Sequence, residues 1–582
     1  MDSEVRSYDD EAGSGPWPGP GPGTWENGWS GEDLDHGWPG GDLDHGWPGG
    51  DLDPGWPGGD PDRGPARRRF LALAGAAAGT LPLAGMLRPG HRSAASPQAG
   101  PGVGDWMALR SALSTHKLIR PGNRTYSTAK ELFDPRFDFK RPAGIAYCAS
   151  PRDVSACLAF VRKFGLPVAA RSGGHTYTGW SSPPGTTGLM VDVTAMNSFQ
   201  VGSGQTVRVG TGLHLIDLYN RLAARGLAVP GGSCPTVGVA GLALGGGVGV
   251  LGRAFGLTSD ALESVQIVTA DGAVRTCNAS SNSDLFWACR GGGGGNFGIA
   301  TAFTFRTHRL SRLVVFFLSW PWSQAAKVVA GWQSWAPFQP DALWSNLHMS
   351  AAQRGGTPTI QVGGTYLGSV AGCQRLLRVL YSRVGSPPAQ PFVAERTYQQ
   401  AMMLEAGCAN LSVSECHLPS QTPNGKLVRV PSYAKSDFFT RKIPPAGIRA
   451  LVTGIERMRG VRGAAGGVGA IAFDAFGGAL NRPSPSSTAF VHRNSLFLAQ
   501  YSTSWNQGGG AAAVGRQHAW LRSFYASMRP WASGQCYQNY LDPDLKNWQQ
   551  AYYGANYAQL TQIKTIYDPN QVFKFPQGIT PA

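Results

Sequence analysis

The sequence lacks the features of several common functional classes. None of its nine cysteines is spaced Cys-x-x-Cys, so a structural zinc ribbon or finger is not expected. The basic residues form no run longer than Arg67-Arg68-Arg69, and no zinc-finger spacing or aromatic RNA-binding motif accompanies them. We therefore expect no metal site and no nucleic-acid partner.

Charge is unevenly distributed along the 582 residues. The first 64 residues carry a net charge of −13, and the remainder carries +28. A nine-residue unit, Asp33-Leu34-Asp35-His36-Gly37-Trp38-Pro39-Gly40-Gly41, recurs from Asp42 and, with proline replacing histidine, from Asp51. Because proline, glycine and aspartate at this density bury too little apolar area to offset chain ordering, we predict a disordered acidic tail over residues 1–66. We interpret the positive charge of the rest as a basic, solvated surface.

Residues 67–99 are predicted to direct export. An arginine pair, one spacer and Phe70-Leu71 precede the uncharged residues 72–86, which resembles a twin-arginine signal. The stretch is too short and too rich in glycine and alanine to predict a membrane span. A basic linker before a buried helix is the alternative. Export would place the folded protein outside the cell or on the periplasmic or cell-wall side, where cysteines can pair, although their spacing does not give the pairing.

The middle of the chain alternates short strands and helices. Val154, Cys157, Leu158 and Val161 recur at helical spacing and predict a helix over residues 153–164. Residues 167–170 then predict a short buried strand that leads into a turn of small residues, 171–175. Such a turn presents backbone N–H groups that suit a pyrophosphate. The turn is neither a G-x-G-x-x-G nor a Walker loop, so it indicates neither nicotinamide binding nor nucleotide hydrolysis.

This region resembles the flavin domain of the berberine bridge enzyme-like family of FAD-linked oxidases, in the vanillyl-alcohol oxidase superfamily. The resemblance covers residues 171–179, 189–193, 234–249, 256–260 and 284–298. It implies FAD held by two covalent bonds, one from His175 to the 8α position and one from Cys234 to C6 of the flavin. The alternatives are a histidine that merely occupies a turn and a cysteine that is inert core.

The resemblance implies a larger set of cofactor-binding residues: Arg171, Ser172, Gly173, Gly174, His175, Thr176, Gly179, Cys234, Val237, Gly238, Gly241, Gly245, Gly246, Gly298, Tyr540 and Asn556. In the family, valine three residues after the linking cysteine is associated with oxidase behaviour. Val237 therefore favours O2 as the electron acceptor, with ordinary strand packing as the alternative.

Residues 311–530 are predicted to bind substrate. Strand-like runs at residues 313–318 and 359–367 and a helical stretch at residues 373–381 indicate an antiparallel sheet covered by helices. The predicted fold is thus α+β, with a two-part FAD-binding domain over residues 100–310 and a substrate domain of this kind. Residues 531–582 resemble the family segment that returns to the FAD domain.

The resemblance also indicates the catalytic residues. Tyr540 matches the family tyrosine that takes the proton of the substrate hydroxyl. A phenol has an ordinary pKa of about 10 and needs assistance to act as a base near neutral pH. Gln500 and Tyr501 are the candidate neighbours. Leu498 stands where some relatives carry a charged group, which leaves the usual carboxylate partner in question.

We therefore predict a secreted FAD-linked oxidase that acts on the CH–OH group of a small-molecule alcohol, a sugar or a glycosylated compound, and reduces O2 to H2O2. One alternative is a tailoring oxidase for an aromatic or polyketide metabolite. A second alternative, from another class, is a flavin-carrying binding protein without turnover.

Overall fold

The computed structural model describes residues 100–582. The predicted acidic tail, residues 1–66, and the predicted signal segment, residues 67–99, lie outside the described residues. Among the helices of residues 100–582, none combines the length and the apolar character needed to cross a membrane.

The first two sheets and a two-stranded ribbon use residues 118–309. The first sheet has the order β1-β2-β4-β3 and is parallel except at β1, and the second is antiparallel with the order β5-β6-β10-β8-β9. Strands β7 and β11 form the ribbon. The bounds are β1 Leu118–Ile119, β2 Gly144–Tyr147, β3 Val168–Arg171, β4 Leu189–Asp192, β5 Phe199–Val201, β6 Thr206–Gly210, β7 Leu227–Ala228, β8 Leu262–Val268, β9 Val274–Cys277, β10 Ile299–Arg306 and β11 His308–Arg309.

The third sheet has seven antiparallel strands and uses residues 312–504. Its order is β15-β12-β14-β13-β17-β18-β16. The bounds are β12 Arg312–Trp320, β13 Leu343–Ala352, β14 Thr359–Tyr366, β15 Phe392–Thr397, β16 Ser432–Phe439, β17 Val468–Ala475 and β18 Phe497–Ser504. Together with the mixed first sheet and the helices, this confirms the predicted α+β class. The limits drawn from the sequence at residues 310 and 530 stay predictions.

The helices of the described chain lie between and beside these sheets. Their bounds are α1 Val103–Ala112, α2 Tyr126–Ala129, α3 Pro151–Phe164, α4 Leu215–Ala223, α5 Val239–Leu244, α6 Gly252–Phe255, α7 Ser283–Ala288, α8 Ala325–Trp335, α9 Val370–Val384, α10 Tyr398–Glu405, α11 Pro445–Arg457, α12 Ala511–Met528, α13 Trp548–Tyr553 and α14 Tyr557–Tyr567. Short 3-10 turns occur at Pro135–Phe137, Thr258–Ala261, Trp322–Gln324, Ala336–Phe338, Met458–Gly460, Gly478–Leu480, Arg529–Trp531 and Gly554–Asn556.

Helix α3 shows how local sequence sets an element. Ser150 caps its first turn by accepting a hydrogen bond from the backbone of Asp153, and the Asp153 side chain accepts one from the Ser150 backbone. Pro151 occupies the first helical position, where its missing N–H costs nothing. Gly165 ends the helix with a φ of 62°. The helix predicted over residues 153–164 is confirmed and begins two residues earlier.

The third sheet buries one face against helices and presents the other to the first half of the chain. On β18, Phe497, Ala499 and Tyr501 belong to a core shared with helices α8, α9, α11 and α12. Leu498 faces the other way, into a small cluster with Val248, Phe490 and Tyr537. On this second face, the sheet contacts both the first half of the chain, through Val248, and the C-terminal segment, through Tyr537.

Candidate active site

The two glycine-rich loops of the first half are pressed against each other. A Cβ on Gly173 would lie 2.3 Å from the Gly238 nitrogen, and a Cβ on Gly238 would lie 2.1 Å from the Ser172 oxygen. Only glycine permits this approach at both positions. The contact brings the loop that carries His175 onto the loop that carries Cys234, although the two residues are far apart in sequence.

His175 is held in a defined orientation between the loops. Its Nε2 atom is 2.8 Å from the Thr236 hydroxyl, and its ring stacks on Phe133 with the ring centres 3.9 Å apart. Burial lowers the pKa of His175 to about 3, and His214 contributes to this shift through its charge. The imidazole is therefore neutral at physiological pH. Since Thr236 engages Nε2, the atom left for a bond to another group is Nδ1.

Cys234 differs from the other cysteines. It is exposed, whereas the other six free cysteines are buried. Buried thiols are usually inert core residues, but an exposed thiol beside two glycines can be reached by a ligand. Cys234 therefore has the accessibility that a covalent attachment site requires.

The C-terminal segment docks on the glycine run 245–249. The hydroxyl of Tyr537 accepts hydrogen bonds from the backbone nitrogens of Gly247 and Val248, at 2.9 and 3.1 Å. The amide of Asn539 donates to the Leu242 carbonyl, and a Cβ on Gly245 would collide with that amide. This turn fixes the position of Tyr540.

Tyr540 lies in a cluster of polar side chains from three separate parts of the chain. Its ring centre is 5.6 Å from that of Tyr177, and Gln500 donates a 2.6 Å hydrogen bond to the Tyr177 hydroxyl. Burial holds the pKa of Tyr540 well above its ordinary value, with the charges of Tyr177 and Asp474 adding to the shift. Tyr540 is thus a neutral phenol that needs a partner to act as a base.

Asp474 is a functional candidate that the sequence reasoning missed. It lies on β17 directly across from Leu498, so its side chain shares the sheet face of Leu498 and Gln500. Burial raises the pKa of Asp474 to about 7. The carboxylate that Leu498 lacks is therefore supplied by the neighbouring strand. Strict alternation in residues 468–475 would have placed Asp474 on this face, but its strand partner was not visible from sequence.

A second buried acid lies near Asp474. Glu405, at the end of α10, is 2% exposed, and neither carboxylate oxygen has a hydrogen-bond partner. Burial raises the pKa of Glu405 to about 8, and the charge of Asp474 contributes. Both buried acids therefore have a raised pKa, and Asp474 is the one whose charge also acts on Tyr540.

Four residues assigned to the site from sequence have other side-chain contacts in the fold, and the cofactor-binding assignments of Arg171, Asn556 and Gly298 stay predictions. Tyr501 follows Gln500 on β18, so it points to the opposite face and packs on Phe524 and Tyr525. Arg171 forms a buried ion pair with Asp192 and donates to the carbonyls of Ala129 and Glu131. The amide of Asn556 donates to the carbonyls of Pro485 and Thr488, and a Cβ on Gly298 would meet the Val268 carbonyl.

The remaining candidates line or shape the two loops. Gly174 and Gly179 have φ values of 72° and 68°, which disfavour any side chain. In the first loop, the Ser172 hydroxyl donates a hydrogen bond to the Thr211 carbonyl, and the hydroxyls of Thr176 and Ser181 hydrogen bond to each other. In the second loop, the Val237 carbonyl accepts a hydrogen bond from the backbone N–H of Leu215 in α4. Gly246, with a φ of 118°, packs on Phe490.

Gly241 of α5 and Gly294 of the glycine run 291–298 face open space. No atom lies within 4 Å of a Cβ placed on Gly241, and the one nearby atom for Gly294 is the Gly241 Cα at 3.8 Å. Together with the exposed thiol and the oriented imidazole, this gives a cradle of main chain next to two nucleophilic side chains. The arrangement fits a flavin dinucleotide, whose pyrophosphate takes backbone N–H groups and whose ring can bond to both side chains.

Comparison with known proteins agrees with this geometry. Residues 142–278 match a family model described as FAD binding domain, and residues 536–580 match one described as berberine and berberine like. The FAD-linked oxidoreductase YvdP of Bacillus subtilis is 32% identical over 81% of this chain and 100% of its own length.

One further relative has a named activity, and another has a solved structure. A chitooligosaccharide oxidase of Gibberella zeae is 27% identical over 81% of this chain and 94% of its own length. The solved structure of Physcomitrella patens BBE-like 1 superimposes with a TM-score of 0.72 at 30% identity, covering 81% of this chain and 99% of that one.

Proposed function

Because the chain belongs to the berberine bridge enzyme-like family of FAD-linked oxidases, we propose that it oxidises an alcohol carbon of a sugar or a glycosylated small molecule with O2. The alcohol loses two electrons and two protons to become a carbonyl or lactone, and O2 gains them to become H2O2. The similarity to a chitooligosaccharide oxidase supports the choice of a sugar substrate. The observation that carries the proposal is the grouping of Tyr540, Tyr177, Gln500 and Asp474 beside the Cys234 loop.

We propose that FAD is held by His175 and Cys234 together. The support is the contact between their loops, the commitment of His175 Nε2 to Thr236 and the exposure of the Cys234 thiol. The bond from His175 would then use Nδ1. When bound, FAD supplies the hydride acceptor of the reaction, and two bonds to one ring would fix its position relative to Tyr540.

The protein residues would handle the proton of the alcohol. A substrate hydroxyl between the flavin loops and the sheet would hydrogen bond to Tyr540, which is kept neutral by its raised pKa. Tyr540 can accept that proton only if its own proton leaves at the same time. Asp474, whose carboxylate is half ionised near pH 7, is the group placed to receive it. Gln500 and Tyr177 would orient the substrate and Tyr540 by hydrogen bonds.

We further propose that O2 is the electron acceptor. Val237 follows the linking cysteine by three residues and is half-buried against the core below the loop. In the family this valine is associated with oxidase behaviour. We propose that Val237 leaves O2 access to the flavin, so that peroxide is the second product.

We also propose that the protein is exported by the arginine-pair signal of residues 67–99. The structure contains one disulfide, between Cys408 and Cys416. Disulfides persist in oxidising compartments and are rare in the cytosol, so this bond supports an extracellular or cell-wall location.

The test is peroxide release by the purified protein, measured against a panel of oligosaccharides, aromatic glycosides and simple alcohols. We expect turnover with at least one sugar class. Replacement of Tyr540 by phenylalanine should lower kcat/KM about 10²- to 10⁴-fold, because it removes the proton acceptor. The flavin of the variant should still be reduced by light as readily as that of the wild type.

A matched control is Tyr366→Phe, since Tyr366 packs on the helix-covered face of the same sheet. We expect this variant to keep the activity of the wild type. Equal loss of activity in both variants would mean that Tyr540 supports the fold rather than catalysis. Absence of turnover with every substrate, with flavin present, would favour a flavin-carrying binding protein.

A further inference from the structure

Two histidines and an aspartate, remote in sequence, meet between the flavin-binding half and the disulfide-closed loop. His214 and Asp217 lie at the start of α4, and His417 directly follows Cys416 of the disulfide. The Asp217 carboxylate oxygen Oδ2 is 3.1 Å from His417 Nε2 and 3.8 Å from His214 Nδ1. One atom from each residue lies within 4.8 Å of the others.

These separations match the ligand atoms of a small divalent cation. Zinc binds histidine nitrogen and carboxylate oxygen at about 2.0–2.2 Å, so the ligand atoms of a tetrahedral site lie about 3.4 Å apart. The two separations from the Asp217 oxygen, 3.1 and 3.8 Å, bracket this value. Small side-chain rotations would equalise them. Three protein ligands would leave one coordination position for water.

The orientation of His417 also favours a cation. Its Nδ1 atom is 2.8 Å from the Val413 carbonyl, which fixes Nδ1 as the hydrogen-bond donor. When Nε2 carries no proton, it directs its lone pair at the Asp217 oxygen, which is also an electron-pair donor. A positive charge between the two atoms removes this repulsion. Metal-ligating histidines usually donate their other N–H to a carbonyl or carboxylate in this way.

The two histidines are more enclosed than Asp217, whose side chain is 30% exposed. The His417 side chain is 3% exposed and that of His214 is 11% exposed. The Gln421 amide is 3.3 Å from His214 Nε2, the ring nitrogen that does not face Asp217. With a metal on Nδ1, the amide oxygen of Gln421 would turn to accept from Nε2–H. No lysine or arginine forms an ion pair with Asp217 in residues 100–582.

We propose that His214, Asp217 and His417 bind one Zn²⁺ ion. The backbone of Leu215, next to His214, donates to the Val237 carbonyl, and Ile216 donates to the Pro235 carbonyl. The start of α4 is therefore attached to the loop that carries Cys234. A metal here ties the disulfide-closed loop to the attachment loop of the cofactor. The spacing of the ligands hid this site from sequence reasoning, because His417 is 200 residues from Asp217.

The test measures zinc in the full-length flavoprotein after dialysis against metal-free buffer, followed by titration with Zn²⁺ alone. We expect one tightly bound zinc per chain, and a rise in melting temperature when zinc is restored to the stripped protein. Asp217→Asn and His417→Ala should each lose the zinc and the rise. The isosteric Asp217→Asn variant keeps the test valid if His417→Ala fails to fold.

Two controls separate this site from other histidines. His518→Ala removes a histidine that pairs with Asp544 elsewhere, and it should retain the zinc. A His36→Ala/His45→Ala variant removes the histidines of the N-terminal repeat and should also retain it. The proposal is overturned if Asp217→Asn binds as much zinc as the wild type, or if the repeat variant loses the bound zinc. The cluster would then be an imidazolium–carboxylate pair.

Discussion

Asp474 and Asp437 lie on strands that flank β18 on either side, and both have a pKa raised to about 7 by burial. Their surroundings differ. Asp437 points to the helix-covered face and pairs with Arg529, whereas Asp474 faces Tyr540. The sheet face on which each aspartate lies therefore separates an ion pair that supports the fold from the proposed participant in proton transfer.

Asp474→Asn tests this role through pH dependence. The wild type needs the ionised carboxylate, so kcat/KM should fall as the pH drops below about 7. The variant should be at least about 10²-fold slower, and its kcat/KM should not show this fall at acidic pH, called here the acidic limb of the profile. The measurement is kcat/KM between pH 5 and 9. An unchanged limb in the variant would assign it to another group.

The same variant should gain stability at high pH. A carboxyl whose pKa is raised in the folded state stabilises the fold at low pH, and this contribution is lost as the pH rises through about 7. Asparagine does not ionise, so the melting temperature of Asp474→Asn should exceed that of the wild type above pH 7. Asp437→Asn is the contrasting variant for activity: Asp437 lies on the helix-covered face, so this variant should keep the fall of kcat/KM at acidic pH.

The two attachment residues can be separated by single substitutions. In His175→Ala the flavin should stay bound through Cys234, and in Cys234→Ala it should stay bound through His175. After acid precipitation, each single variant should keep its flavin in the pellet and the double variant should release it. Flavin in the supernatant of the wild-type protein would contradict covalent attachment through either residue.

At the scale of elements, the site depends on two loops that touch only through glycine. A methyl group on Gly173 would lie 2.3 Å from the Gly238 nitrogen and 2.6 Å from the Thr236 carbonyl oxygen. Both contacts are with backbone, which cannot turn aside as a side chain can. Separation of the loops would displace Thr236 from His175.

Gly173→Ala should therefore lower both flavin content and stability. Overpacking of this kind costs about 1–3 kcal/mol. The measurement is the flavin absorbance per chain together with the melting temperature. Gly104→Ala is the control, because Gly104 lies in α1 with no atom near its Cβ position, and alanine there should be neutral or slightly stabilising. Normal flavin content in Gly173→Ala would show that the loops can separate without loss of the site.

At the scale of the whole molecule, the proposed export can be tested through the arginine pair of residues 67–99. Replacement of Arg67 and Arg68 by lysine should retain the protein inside the cell, because twin-arginine signals require the pair. Fractionation followed by immunoblotting measures this. Arg88→Lys/Arg92→Lys makes the same number of changes outside the motif and should be exported normally. Export of the Arg67/Arg68 variant would favour the basic-linker interpretation.

Local sequence was sufficient for much of the fold and for the family. Helices α3 and α9 and strands β3, β12 and β14 could be predicted because their periodicity depends on neighbouring residues. The resemblance of residues 171–179 and 234–249 indicated the FAD-linked oxidase class, which the comparisons confirm. The α+β class also followed from the pattern of elements.

Tertiary structure alone decided which side chains share the site. Asp474 shares a sheet face with Gln500 only because β17 pairs with β18 in one register, and Tyr501 points away from that face because a strand turns successive side chains to opposite faces. His214, Asp217 and His417 meet only because the disulfide-closed loop packs on α4. Periodicity and glycine motifs are local properties of the chain, so the sequence by itself determined the elements and the family. Strand register and loop packing depend on residues far apart, and for this reason they appear only in the folded molecule.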